Sequence, residues 1–346
     1  MKKIILITEY LDPPYDEGIK KTVYNLFLNL NENYKLEVIC RYGIKKDNIH
    51  VIDTNPLFFS KKIKTIIENF KPNVIIYLPF QSSTFASYLR LKVFSFFANR
   101  IKIIFIALQP KPLKKWQQFI TKFIKPEIAL TPSPALKQSW DKLKIKNKLI
   151  PLLTDLNVFK PISNQISKKT LREKYNLPID AFIISHMGHL NDGRNLKTLI
   201  PLQNNGLQVV IVGSSSTPKD AHGQLSLKEE LEKTGIIILN KFIENIEEIY
   251  HLSDVYIFPV VAKNSSIGLP LSILEARACD IPVITTDYGS VKYYLGTDND
   301  GIFFSKPNEF YNKVKEIKNR QQNHNKSLIN LLNDKFYDII LNSINP

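Results

Sequence analysis

The stretch "NSSIGLPLSILEARACDIPVITTDYG", residues 264–289, follows the apolar run 255–259 and ends in a second such run, 282–286. Between the two lies a helical segment, 270–279. Strand, loop, helix and strand in that order are the unit of a parallel sheet with helices on its faces. Gly268, Leu269 and Pro270 mark the step from loop to helix. Proline suits a first helical position, whose N–H has no intrahelical partner, and glycine lets a ligand approach the backbone closely. The N–H groups around Leu271 and Ser272, with the helix dipole, form a site for an anion. Glu275, about one turn further in, can accept hydrogen bonds from two vicinal hydroxyls such as those of a ribose. Phosphate at the helix tip and ribose at the carboxylate together describe a nucleoside diphosphate. The same spacing also fits an ordinary strand–loop–helix unit with a solvent-facing glutamate.

The pattern repeats on both sides. Apolar, β-branched runs at 3–8, 35–40, 74–78, 101–107, 128–131 and 148–152 alternate with helical stretches such as 20–30 and 61–69. Residues 154–170 are polar, contain Pro161 and read as a linker. The alternation then restarts: strands at 181–187, 207–212, 236–239, 255–259 and 282–286, helices at 195–203, 226–234, 245–252 and 270–279. The expectation is α/β, two Rossmann-like doubly wound domains: an amino-terminal domain, 1–153, and a carboxyl-terminal one, 154–325. A last helix, 326–346, would pack back on the first. Such domains bind ligands at the carboxyl ends of their strands. Neither carries the G-x-G-x-x-G of a dinucleotide site or a Walker lysine motif.

The 346 residues suffice for two domains, and 44% hydrophobic with 23% charged residues is the balance of a folded soluble chain. No apolar run reaches the roughly 20 residues of a spanning helix. The start, "MKKIILITEYLDPPYDEG", reads as a buried strand rather than a signal peptide. Two cysteines, Cys40 and Cys279, make no disulfide framework, so a reducing cytoplasm is expected. The net charge of +15 fits attraction to the phosphates of nucleotides or anionic lipids, and equally a lysine-, isoleucine- and asparagine-rich composition bias. No helix-turn-helix, zinc-finger or RNP-type signature points to nucleic acid.

A second basic element lies in "SHMGHLNDGRNLKTLI", with Gly188 at a strand end and Arg194 at the next helix start. A guanidinium there can grip a diphosphate in a forked geometry. A surface arginine is the alternative, in a place its charge does not favour.

With these residues in view, the carboxyl half resembles the nucleotide-sugar domain of glycosyltransferase family 4, retaining enzymes of the GT-B fold. The resemblance rests on "MGHLNDGRNLKTLI", "VVIVGSS", "IEEIYHLSDVYIFPV" and "IGLPLSILEARACDIPVITTDYG". In the first half, "ITEYLDPPYDEGIKKTVYNL" is similar to the family's opening strand, glycine loop and helix, and "LTPSPALKQSW" with "IPLLTDLNVFKP" to the passage into the second domain. The resemblance implies that the two domains face each other across a cleft. It also implies donor contacts from Gly18, Gly188, His189, Arg194, Ile267, Gly268, Leu269, Pro270, Leu271, Ser272 and Glu275, with Glu275 on the ribose.

The chain departs from the family in places. His189 stands where an arginine is usual, and Arg194 where a lysine is. Ile267 replaces the first of two glutamates spaced eight apart. Gln109 follows the strand whose successor in many members is a histidine; it can hydrogen-bond but not titrate. Lys20 or Lys21, after Gly18, can face a phosphate.

The resemblance implies a hexosyltransferase-like enzyme moving a sugar from a UDP or GDP donor to a saccharide or lipid-linked acceptor in cell-surface glycan synthesis. Arg194 and Gln109 would serve catalysis, with no cofactor and no metal. Two alternatives stand beside it: a catalytically impaired GT-B subunit or scaffold that binds nucleotide, and a nucleotide-sugar epimerase. Asp298-Asn299-Asp300-Gly301 imitates a metal-binding D-x-D but reads as a turn. His186 and His189, three apart at a strand end, would face opposite sides and make no zinc site. The segment "KPLKKWQQFITKFIKP", from Lys111 to Pro126, places Leu113, Trp116, Ile120 and Phe123 near one helical face amid lysines. It reads either as a helix on an anionic membrane at the cytoplasmic face or as a core helix with a wet lysine side.

Overall fold

Runs of isoleucine, valine and leucine with no polar alternation cannot leave a face in water, and they become strands covered on both sides. The computed structural model describes residues 1–162, 167–213, 221–240, 242–263, 265–296, 301–319 and 327–345. The chain forms two units. Met1–Leu153, Ile267–Leu269 and Asn333–Pro346 make the first; Thr154–Ser266 and Pro270–Leu332 make the second. The expected start of the last helix, Lys326, lies outside the described residues.

In the first unit the strands are β1 (Lys3–Ile7), β2 (Tyr10–Leu11), β3 (Lys35–Cys40), β4 (Tyr42–Gly43), β5 (Ile49–Val51), β6 (Val74–Tyr77), β7 (Lys102–Ile106), β8 (Ile128–Thr131) and β9 (Asn147–Leu149). Seven form a parallel sheet ordered β5-β3-β1-β6-β7-β8-β9, while β2 pairs with β4. The helices are α1 (Gly18–Asn33), α2 (Lys61–Phe70), α3 (Phe85–Ala98), α4 (Lys115–Thr121) and α5 (Pro134–Lys142). Tyr77, Tyr88, Phe94, Phe105 and Trp140 fill one core, and the Trp140 indole N–H donates to Tyr88 Oη at 2.7 Å. Leu113 and Ile124, at the two ends of the α4 region, pack against that core while Trp116 and Phe123 are exposed. Leu113 therefore does not share the face expected of it.

The second unit holds α6 (Lys168–Lys174), β10 (Ile183–Gly188), α7 (Ile200–Asn204), β11 (Gln208–Gly213), α8 (Ala221–Glu232), β12 (Ile237–Leu239), α9 (Glu247–Leu252), β13 (Val255–Phe258), α10 (Leu271–Ala278), β14 (Val283–Thr285), α11 (Val291–Leu295), β15 (Ile302–Phe304) and α12 (Phe310–Lys318). Its sheet is parallel throughout, in the order β12-β11-β10-β13-β14-β15. The final helix is α13 (Ser327–Ile344).

Two expectations change locally. The supposed linker ends early because Ser167 caps α6, its Oγ accepting from the Thr170 N–H at 3.1 Å. The helix expected over 195–203 is broken into two 3-10 turns, Asp192–Arg194 and Leu196–Leu199, followed by α7. The break is at Asn195, which takes a left-handed conformation with φ of 59°. Its Nδ2 donates to the Pro259 carbonyl at 3.0 Å, so a contact made after β13 sets the shape of the connection after β10.

Candidate functional site

In a doubly wound sheet, connections that leave neighbouring strands in opposite directions open a crevice at the carboxyl ends. In the second unit that place is between β10 and β13, because β11 lies beyond β10 and β14 lies beyond β13. Gly188, His189 and Arg194 follow β10, and Pro270, Leu271, Ser272 and Glu275 follow β13. The topology thus brings both sequence-predicted groups to one crevice.

Arg194 closes the 3-10 turn Asp192–Arg194 instead of opening a helix, and its side chain is buried at 9% exposure. The surface-arginine alternative is thereby removed. A methyl group at Gly188 would lie 3.2 Å from His186 Nε2 and 3.3 Å from Arg194 Cζ, so glycine keeps room for both side chains. At Gly193 a methyl group would come within 2.5 Å of Ser265 Oγ, which ties the turn to the connection after β13. His186 points inward from β10, fully buried, with Nδ1 at 2.9 Å from the Ile257 carbonyl. That acceptor requires the proton on Nδ1 and leaves Nε2 as a lone pair. Burial, with Arg194 adding to it, holds the imidazole down to about 3, so it is neutral at physiological pH. His189 is partly buried, and its carbonyl accepts from the Asn191 N–H at 3.1 Å.

Pro270 is the N-cap of α10, with φ −65° and ψ 122°, and Leu271 is the first helical residue. The helix therefore starts one residue later than the proline rule suggests. No side chain caps α10. Ser272 Oγ accepts from Tyr256 Oη at 2.7 Å. Glu275 is buried at 4% exposure, and Oε2 accepts from Tyr250 Oη at 2.8 Å. The solvent-facing alternative for this carboxylate is overturned. Burial first, then the Glu275 carboxylate, push the Tyr250 phenol well above its usual range and keep it a donor.

The remaining predicted residues belong to the first unit. A methyl group at Gly18 would touch Ile267 Cδ1 at 3.1 Å, and Ile267 is buried. Gly268 donates its N–H to the Leu108 carbonyl at 3.2 Å, and a methyl group there would lie 3.2 Å from Ser133 Cβ. At this glycine the close approach is to the Leu108 carbonyl and the Ser133 side chain. Leu269 is fully buried. Gln109 is buried, and its side-chain carbonyl accepts from Lys111 Nζ at 3.1 Å. Lys20 pairs with Asp12 at 3.4 Å. The N-terminus of α1 is filled by its own cap, since Glu17 Oε2 accepts from the N–H groups of Ile19 and Lys20, both at 3.1 Å.

Sequence reasoning missed Tyr250, Tyr256, Gly193 and Asn195, and considered His186 only as a zinc ligand. Among the described residues no group of three or more His, Cys, Asp or Glu side chains could hold a metal. Asp298 and Asp300, with Asn299 between them, lie outside the described residues. No helix among the described residues is long and apolar enough to cross a membrane.

Residues 194–319 match the family model described as glycosyl transferases group 1. A comparison with curated proteins finds no match. Among solved structures the chain is similar to Anabaena Alr3699/HepE in complex with UDP-glucose, at a TM-score of 0.77 and 14% identity over 99% of this chain and 100% of that one. It is also similar to sucrose-phosphate synthase from Thermosynechococcus elongatus, with a TM-score of 0.68, 15% identity and coverage of 100% and 95%. A third likeness is to the lipopolysaccharide outer core galactosyltransferase WaaB in its apo form, with a TM-score of 0.62, 16% identity and 99% of both chains covered. Built from two parallel Rossmann-like sheets and similar along its length to these proteins, the chain has the GT-B glycosyltransferase fold, and its second unit carries the glycosyl transferases group 1 match.

Proposed function

We propose that this protein is a retaining glycosyltransferase of the family 4 type that takes a nucleoside diphosphate sugar, UDP or GDP, in its second unit. The observation that carries the reading is the crevice between β10 and β13: buried Arg194 on one connection, the side-chain-uncapped start of α10 and buried Glu275 on the other. The diphosphate sits at the Leu271 and Ser272 N–H groups and Arg194, and the ribose hydroxyls sit at Glu275. HepE with UDP-glucose, similar in fold, is consistent with a UDP donor. The acceptor, a saccharide or a lipid-linked one used in cell-surface glycan synthesis on the cytoplasmic side, belongs to the first unit. Its hydroxyl oxygen attacks the anomeric carbon from the face the diphosphate leaves. The C–O bond breaks with its electron pair on the phosphate oxygen, which takes the acceptor proton. Arg194 and the α10 terminus stabilise the charge that develops, and the chemistry needs positioning more than a protein nucleophile or a metal.

Calorimetry with UDP and GDP, followed by a panel of their sugars with the product anomer read by NMR, tests this. Binding of one nucleotide and transfer with retained configuration in excess chelator are expected. An inverted product, or activity lost to chelator and restored by manganese, overturns those parts of the proposal. One set of contacts favours a second reading, a nucleotide-binding subunit without transfer. Ile267 is buried beside Gly18, and the Gln109 side chain is engaged by Lys111. Nucleotide binding with no turnover of any donor would select it.

A further inference from the structure

From residue 69 to residue 126 the chain contains no aspartate or glutamate, yet it carries ten lysines and arginines. This stretch builds α3 and α4, which lie against each other. Trp116, Phe119 and Phe123 of the α4 region are 53%, 62% and 72% exposed, and Phe96 of α3 is 70% exposed. Lys92, Arg100, Lys114, Lys115 and Lys122 are exposed on the same two segments. Leu113 and Ile124 hold the α4 region to the core, so the aromatic side cannot turn inward. Large open aromatics side by side on the α4 region mark an interaction surface, and exposed cations without carboxylates select an anionic partner. Phe119 and Phe123 meet edge to face, at 5.3 Å and 70°, which offers acyl chains an apolar wedge rather than the flat platform a nucleobase stacks on. We propose that α4 and the adjoining face of α3 dock the protein reversibly on an anionic lipid bilayer. The aromatics enter the headgroup–acyl boundary and the lysines meet the phosphates.

The protein carries its own probe. Of its two tryptophans, Trp140 is fully buried and Trp116 is half exposed, so a change in emission reports Trp116. Vesicles of phosphatidylcholine, with or without phosphatidylglycerol, are mixed with the full chain and sedimented. Co-sedimentation with the anionic vesicles and a blue shift of emission are expected. Affinity should fall at least about tenfold as salt rises from about 50 to 500 mM. Lys114→Glu with Lys115→Glu should weaken binding at least about tenfold at low salt, and Phe119→Ser with Phe123→Ser should remove the part that survives high salt. All four positions are exposed, so the variants should melt with the wild type. Protein left in the supernatant at low salt overturns the proposal, as does equal binding to neutral vesicles. So does sedimentation without an emission change, or tighter binding to a single-stranded oligonucleotide than to vesicles. Docking does not depend on sugar transfer, and UDP calorimetry without vesicles reads that proposal separately.

Discussion

Glu275 has two demands on its carboxylate: the Tyr250 hydroxyl that it accepts from and the ribose that the proposal gives it. Glu275→Ala should weaken UDP binding by about 1.5–3 kcal/mol, the range for hydrogen bonds to a charged group. It should also erase discrimination between UDP and its 2′-deoxy analogue in calorimetry; a variant that still discriminates would remove the ribose assignment. Because the Tyr250 hydroxyl is left buried without this acceptor, stability should fall as well, by about 1–3 kcal/mol. His186 gives a pH signature. Its folded-state value, about 3, is below the usual 6.5. The unfolded chain therefore binds the proton first, and the stability present above about pH 6.5 is lost as pH falls toward 3, with a slope approaching about 1.4 kcal/mol per pH unit. Urea unfolding between about pH 7 and 5 should show this slope, and His186→Gln should flatten it whatever its own cost at neutral pH. An unchanged slope would place the acid sensitivity elsewhere.

The starts of α1 and α10 differ chemically. Glu17 fills the first turn of α1, whereas α10 begins without a side-chain cap. A helix tip whose N–H groups already bond a carboxylate has little left to offer a phosphate, which is why the proposal gives the diphosphate to α10. Glu17→Ala should cost about 1 kcal/mol of stability in denaturant unfolding, typical of a lost cap, with nucleotide affinity unchanged. A clear drop in UDP affinity would mean that α1 takes part in donor binding after all. Short elements were the hardest to anticipate. The strands β5 and β15, three residues each, lie at the edges of their sheets, and they exist because a neighbouring strand offers a ladder to join.

The first unit is completed by chain from the far end. Asn333–Pro346 belong to it, and Phe336, Ile340 and Ile344 are buried. Phe336→Ala should lower the stability of the first unit by about 3–5 kcal/mol, a core phenylalanine truncation. In calorimetry the transition that shifts should be the one that UDP does not raise; a shift of the UDP-sensitive transition would contradict this. The alternating parallel architecture was legible without coordinates, because strand and helix periods are local and a strand buried on both faces has to be apolar along its length. So was the order Gly268, Pro270, Glu275, which marks a loop opening into a helix. Spacing could not tell whether Glu275 and Arg194 face water or protein. Glu275 is engaged by Tyr250, 25 residues away in sequence, and the Arg194 guanidinium lies against Gly188, which has no side chain to displace it. Nor could spacing show that Gly268 abuts Ser133 and the Leu108 carbonyl, or that Trp116 and Phe123 stay in the open. Each of these is a contact across long separations in the chain or a choice of face, fixed by which side chains the folded sheets bring together and not by the pattern of any one segment.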